Sequence, residues 1–278
     1  MKKAIQIRYD ANFQANCKFA SAAGFRYMAI NFSHGASMDW TDVEKILCNA
    51  GEILEESGLK CLQSHLPCYG LSESSEIVHE DMEDCIHKAI YVSARLGAEW
   101  CAYHTRDSFF TGFVKMITHN DNNKLISKFL ETAEKNNTGI AIENLPLFND
   151  VAYFTSGIDE LVGLVDSFRS DSVGICWDTG HANLLPYDQS DAVRYMGKRL
   201  KCTHIHDNYK DDDWHHLPTF GNVDWKSFVS SLRKVGYDGG LTLEALETIS
   251  DGKSYPDSLV SAYFDLAYST LRYIDEKE

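Results

Sequence analysis

Imidazoles and carboxylates recur in this chain at one kind of place, the last residues of short apolar runs and the turn just beyond. They are His65, His104, Glu143, Asp178 with His181 three residues on, His204 and His206 with Asp207, and Glu244. These are the donors preferred by zinc, manganese and related divalent ions. Any one of them alone reads as a hydrogen-bonded rim residue. Six consecutive strand ends carrying such groups are harder to read that way, because carboxylates gathered on one rim repel each other unless a cation or hydrogen bonds compensate. His204 and His206 point the same way, since strand side chains alternate with period two. His79, His87 and His119 fall on expected helices or their flanking loops and are assigned to solvated surface. His34, in the loop after the second run, reaches toward the same rim without a nameable partner.

The elements that must position these residues are legible as alternation. Runs rich in β-branched and aromatic residues stand at AIQIRY (4–9), YMAINF (27–32), CLQSHL (61–66), WCAYHT (100–105), GIAIEN (139–144), VGICWD (173–178), CTHIHD (202–207) and GLTLEA (240–245). Between them lie segments of helical periodicity, among them 41–58, 80–97, 123–136 and 223–236, several finishing at a glycine suited to a left-handed cap: Gly58, Gly97 and Gly236. Strand–helix alternation implies parallel strands joined by right-handed crossovers, and eight such units close into a barrel. The expected fold is α/β, a single (β/α)8 TIM barrel domain over residues 1–278. In such barrels the carboxyl ends of the strands carry the chemistry, which is where the imidazoles and carboxylates fall. No glycine-rich GxGxxG follows the first strand, so no nucleotide cofactor is expected.

Composition narrows the partners. Hydrophobic residues make up 44% and charged residues 24%, the balance of a globular protein with a large core. A formal charge of −15 repels phosphate backbones and counts against nucleic acid. There is no signal-peptide run and no stretch of membrane-spanning length, so a cytoplasmic location without membrane contact is expected. The eight cysteines form no CxxC pair and are expected to be reduced and mostly structural. A homo-oligomer is compatible with the sequence.

The motifs IAIEN (140–144), VGICWDTGHAN (173–183), THIHDN (203–208), DWHHLPTFGNVDW (213–225) and YDGGLTLEA (237–245), in this order and spacing, resemble the xylose-isomerase-like barrels. That family includes sugar-phosphate isomerases and epimerases, hydroxypyruvate isomerase, inosose dehydratase and endonuclease IV. The resemblance covers almost the whole chain. It implies a divalent metal (Mn2+, Zn2+, Co2+ or Mg2+) held by Glu143, Asp178, His204 and Glu244. His204 is preferred to His206 because the family commonly has an acidic residue three positions after this ligand, which Asp207 supplies; His206 then contacts substrate or supports the ligands. The further positions that bind metal in endonuclease IV have counterparts in His65, His104, His181, Asp213 and His215.

The implied activity is isomerisation or epimerisation of a sugar or sugar phosphate by proton transfer through a metal-stabilised enediolate, with Glu143 and Glu244 as the acid–base pair. His181, His206 and Lys210 would bind substrate oxygens; Lys210 is placed by position, where some epimerases carry an arginine six residues after the strand-seven histidine. Asn149 stands where ketose epimerases carry a second acidic residue, which points away from a tagatose or psicose epimerase. An endonuclease IV-like phosphodiesterase with a multinuclear zinc site, an inosose-type dehydratase and a non-enzymatic metal- or sugar-binding barrel are the alternatives. The first is opposed by the acidic surface and by YHTRDSF and DTGHANL, which are closer to sugar-acting members; the last by retention of both glutamates. Loops 66–78 and 105–120 are expected to line the pocket, with Tyr69, Phe109 and Phe110 able to stack on a sugar ring.

Overall fold

The computed structural model describes residues 1–33, 38–68, 79–106, 114–148, 151–246, 249 and 255–276. His34, Tyr69, Phe109, Phe110 and Asn149 lie outside the described residues. Eight strands, β1 (Lys2–Arg8), β2 (Tyr27–Asn31), β3 (Lys60–His65), β4 (Trp100–Tyr103), β5 (Gly139–Glu143), β6 (Val173–Asp178), β7 (Leu200–Ile205) and β8 (Gly240–Leu243), pair in sequence order, and β1 pairs with β8 to close the barrel. Every pairing around it is parallel.

Helices α1 (Phe13–Ala23), α2 (Val43–Ser57), α3 (His79–Arg95), α4 (Val114–Lys135), α5 (Ile158–Ser167), α6 (Thr179–Asn183), α7 (Gln189–Met196), α8 (Trp225–Lys234) and α9 (Asp257–Glu276) occupy the connections. Each expected strand is present, although most stop one or two residues short of the apolar run because the chain turns out of the ladder at the rim. Helix α4 begins at Val114 rather than at 123. Its polar segment THNDNN masks the periodicity, and buried Asn122 is used instead to bond the backbone of Arg106 and Thr118. The fifth connection adds a two-stranded hairpin, Leu147–Phe148 with Val151–Ala152, and a 3-10 turn at Phe154–Ser156. Gly58, Gly97 and Gly236 take positive φ at the ends of α2, α3 and α8, as their spacing predicts.

Strand alternation divides the core. Ile5, Ile7, Ile140, Ile142, Ile175, Trp177, Leu241 and Leu243 are buried in the main apolar cluster with the helices. The opposite parity faces the barrel axis, where Ala102, Ala141, Cys176 and Cys202 form a separate small-residue layer. Two residues further along those four strands stand His104, Glu143, Asp178 and His204, so the inner layer is the floor of the polar rim.

The eight cysteines are free, five of them buried. His87 and His119, expected on solvated surface, are half-buried instead. His87 Nδ1 is 2.8 Å from Thr132 Oγ1, with its ring edge-on to Phe129, and His119 packs against Phe154. Both lie where neighbouring elements meet, and a helical pattern does not tell such positions from open surface. Among the described residues no helix is long and apolar enough to cross a membrane.

Candidate metal centre

Barrel closure brings together residues from opposite ends of the chain. Ligand atoms of Glu143, Asp178, His204 and Glu244 all lie within 4.8 Å of one another. At their centre is His204 Nδ1, 2.9 Å from Glu143 Oε1 and 2.8 Å from Glu244 Oε2. The same distance limit groups His65 and His104 with Glu143, and His181, His206, Asp213 and His215 with one another.

Local structure aims each group. Asp178 ends β6 and begins α6, and its Oδ1 accepts the His181 N–H at 2.7 Å, an N-cap that fixes the carboxylate. Its Oδ2 is 2.9 Å from His206 Nε2. Asn144 staples β5 to β6 by accepting from Asp178 N–H at 2.7 Å and donating to Asp178 O at 2.9 Å. Gln6 Nε2 donates to Glu244 Oε1 at 2.6 Å, so the first strand orients the carboxylate that follows the last. Asp213 and His215 are presented by the loop after β7, which Asp207 organises. Asp207 is buried, and its two oxygens accept from the N–H groups of Asn208, Thr219 and Val223 and from Trp225 Nε1. That loop holds non-glycine residues at positive φ, Lys210, His215 and Thr219, a conformation retained only where surroundings enforce it.

The imidazoles are oriented as ligands would be. His65, His181 and His215 each donate from Nδ1 to a backbone carbonyl, of Leu66, Asn144 and Glu244, at 2.8, 2.8 and 2.9 Å. A carbonyl can only accept, so Nδ1 carries the proton and Nε2 is left for other work, the usual arrangement behind a metal-ligating histidine. Those Nε2 atoms meet the clusters: His65 Nε2 is 3.3 Å from His104 Nε2, and His181 and His215 Nε2 are each 3.3 Å from Asp213 Oδ2.

The electrostatics are those of carboxylates and imidazoles crowded together, with no lysine or arginine paired to them among the described residues. Burial holds His65 down at about 4, and neighbouring His104 adds to this while Glu143 opposes it. For His204 and His104 burial also works against the charge, yet the Glu143 carboxylate, with Glu244 for His204, raises both well above the ordinary range. Burial opposes ionisation of Glu143 and Asp213, but facing imidazoles hold both acids well below the carboxylate range. His181 is raised to about 9, burial being outweighed by Asp178 and Asp213. Protons on the imidazoles thus balance the acids. Even so, Glu143 Oε2 and Asp213 Oδ1 are buried with no hydrogen-bond partner. Orphaned carboxylate oxygens beside nitrogen lone pairs fit a divalent cation.

Of the residues expected to form the site, Lys210 stands apart: it is exposed, and among the described residues no hydrogen bond or ion pair joins its ammonium to the cluster. His206 is buried against Asp178 and stacked on His215 with centroids 4.0 Å apart. Gln6 lies outside the quoted motifs, and Asn144 closes IAIEN with no role expected of it; both act as supports. The available signal for Gln6 was a polar residue of inward parity within the apolar run of β1.

The family model described as xylose isomerase-like TIM barrel matches residues 17–259. Protein MJ1311 of Methanocaldococcus jannaschii is 28% identical over 220 residues, covering 73% of this chain and 74% of that protein. The ketose 3-epimerase of Arthrobacter globiformis is 22% identical over 208 residues, covering 72% of this chain and 68% of its own. The crystal structure of IOLI protein with a binding zinc atom aligns with a TM-score of 0.79 at 15% identity over 100% of this chain and 99% of that one, a likeness of fold. The match over most of the length, the closed barrel and the carboxylate–imidazole rim agree: the chain belongs to the xylose isomerase-like TIM barrel family.

Proposed function

We propose that this protein is a divalent-metal-dependent isomerase or epimerase of a sugar or sugar phosphate, with Glu143, Asp178, His204 and Glu244 holding the ion and Glu143 and Glu244 moving the proton. The observation that carries the reading is the convergence of two glutamates from β5 and the end of β8 on one imidazole nitrogen, 2.9 and 2.8 Å away. A bound divalent ion would supply Lewis acidity at substrate oxygens and so acidify the adjacent C–H.

The chain's own groups perform the transfer. Glu143 keeps a buried oxygen, Oε2, without a hydrogen-bond partner, and Glu244 Oε2 faces the His204 imidazole from the more open wall, so each can accept a proton from carbon and return one. Glu244 is the more open, with a side chain 16% exposed against 1% for Glu143, and Gln6 fixes its other oxygen. Two bases approaching a carbon from different walls allow removal on one face and return on the other, which is epimerisation. His181, whose Nε2 faces the same rim, would meet substrate hydroxyls, while His206, buried between Asp178 and Gly180, would support the ligands. The relationship to a ketose 3-epimerase supports a keto sugar as substrate.

The test is solvent-deuterium incorporation into a panel of ketoses and ketose phosphates by manganese-loaded protein. Exchange that is lost in Glu143→Gln and in Glu244→Gln is the expected result; exchange undiminished in both overturns it. A second reading, a phosphodiesterase with a multinuclear centre, is favoured by the two further ligand clusters. Three equivalents of zinc together with nicking of abasic DNA would establish it instead.

A further inference from the structure

The barrel mouth extends beyond the candidate ligands into a pocket, partly open to solvent, between Glu244 and the ends of β1 and β2. Its wall includes Arg8, Asn16 and Asn31. Arg8 and Asn31 are register partners, and Asn31 is in turn the partner of His65, so the three form one row across adjacent strand ends. Arg8 has the inward parity of Gln6, which bonds Glu244, and lies two residues further along β1, a rise of about 7 Å.

Arg8 is singled out by what it lacks. Two arginines are half-buried, Arg8 and Arg199, and the others are exposed. Arg199 is paired with Asp166. The Arg8 guanidinium has no hydrogen bond or ion pair among the described residues. A cation partly withdrawn from water without a partner is unfavourable unless a ligand completes it. The neighbouring amides add donors: the Asn31 oxygen is occupied by Ser33 N–H at 2.6 Å, which leaves its NH2 for a ligand, and among the described residues no side-chain bond engages Asn16. Among the described residues neither acid on the wall is ion-paired with Arg8. Asp10 is exposed and accepts from Asn12 N–H at 2.8 Å, and Glu244 is held by Gln6.

The geometry points to an anion seat: Arg8, assisted by Asn31 and Asn16, receives a phosphate or carboxylate at the far end of a substrate whose reacting carbon lies between Glu143 and Glu244. This rests on the isomerase reading and narrows it, from sugars in general to anionic ones. Guanidinium binds either group through two parallel N–H bonds.

Calorimetric titration of manganese-loaded protein with D-fructose, D-fructose 6-phosphate and D-fructuronate tests it by binding. At least one anionic ligand should bind about tenfold or more tightly than D-fructose, and which one it is tells phosphate from carboxylate. Arg8→Gln should remove that preference and leave D-fructose binding unchanged, while Arg8→Lys keeps the charge and part of the preference. A melting temperature for each variant separates loss of the seat from loss of fold. Equal affinity for all three ligands, no binding of any, or a preference that persists in a folded Arg8→Gln protein overturns the inference. Deuterium exchange on the same samples reads the isomerase separately: anion preference without exchange defeats that reading and leaves the seat, whereas exchange without preference does the reverse.

Discussion

The His206 ring lies against the α-carbon of Gly180: a β-carbon at residue 180 would fall 1.9 Å from His206 Cε1 and 2.2 Å from Nδ1. Gly180 sits in α6, where helix propensity alone would favour alanine by about 1 kcal/mol. Packing reverses the sign. Gly180→Ala should destabilise the protein by about 1–3 kcal/mol, because His206 is fully buried and must move off Asp178. A urea midpoint lowered without a change in slope would show it; a midpoint raised by the substitution would refute the contact.

Asp207 gives a second expectation. Four donors converge on its carboxylate from Asn208, Thr219, Val223 and Trp225, and its backbone pairs with His216 in both directions. Asp207→Asn turns an NH2 toward two of those donors. A loss of about 2–4 kcal/mol follows from breaking charge-assisted bonds in a buried place. The loop carrying Asp213 and His215 should loosen first, seen as native-state proteolysis within 209–222. Cleavage no faster than in the parent protein would show that the loop is held by other means.

A third prediction concerns pH. Asp275 on α9 bonds Lys3 Nζ at 2.6 Å and Arg233 at 3.1 Å, tying the last helix to β1 and α8. Burial opposes its ionisation, but Lys3 and the other donors outweigh this and its carboxyl is held below the usual range. An acid depressed in the folded state adds stability above its unfolded pKa of about 4, and that stability is lost as pH falls through the lower folded value. Asp275→Asn should therefore lower stability by about 1–2 kcal/mol at neutral pH, and the gap should close on acidification below about pH 4. Urea titrations of both proteins at stepped pH read this directly; a gap that stays constant would place the effect in packing.

Much of the barrel was legible because burial on both faces makes parallel strands apolar and short, and each glycine cap marks a helix end. Glu143, Asp178 and His204 were legible for a related reason, as polar residues where strand parity turns inward at the rim. The start of α4 was not, since its first turns are polar, and neither were the half-buried positions of His87 and His119, which depend on a neighbouring element supplying Thr132 or Phe154.

What the amino-acid sequence determined by itself is the period of alternation, and with it the eight strands and the types of group at their carboxyl ends. Only the tertiary structure decided that Gln6 reaches Glu244 across 238 residues, that His204 Nδ1 stands between two glutamates, and that Arg8 has no partner among the described residues. Register and closure set those distances, and a side chain chooses among donors and acceptors only after the chain has brought them within reach.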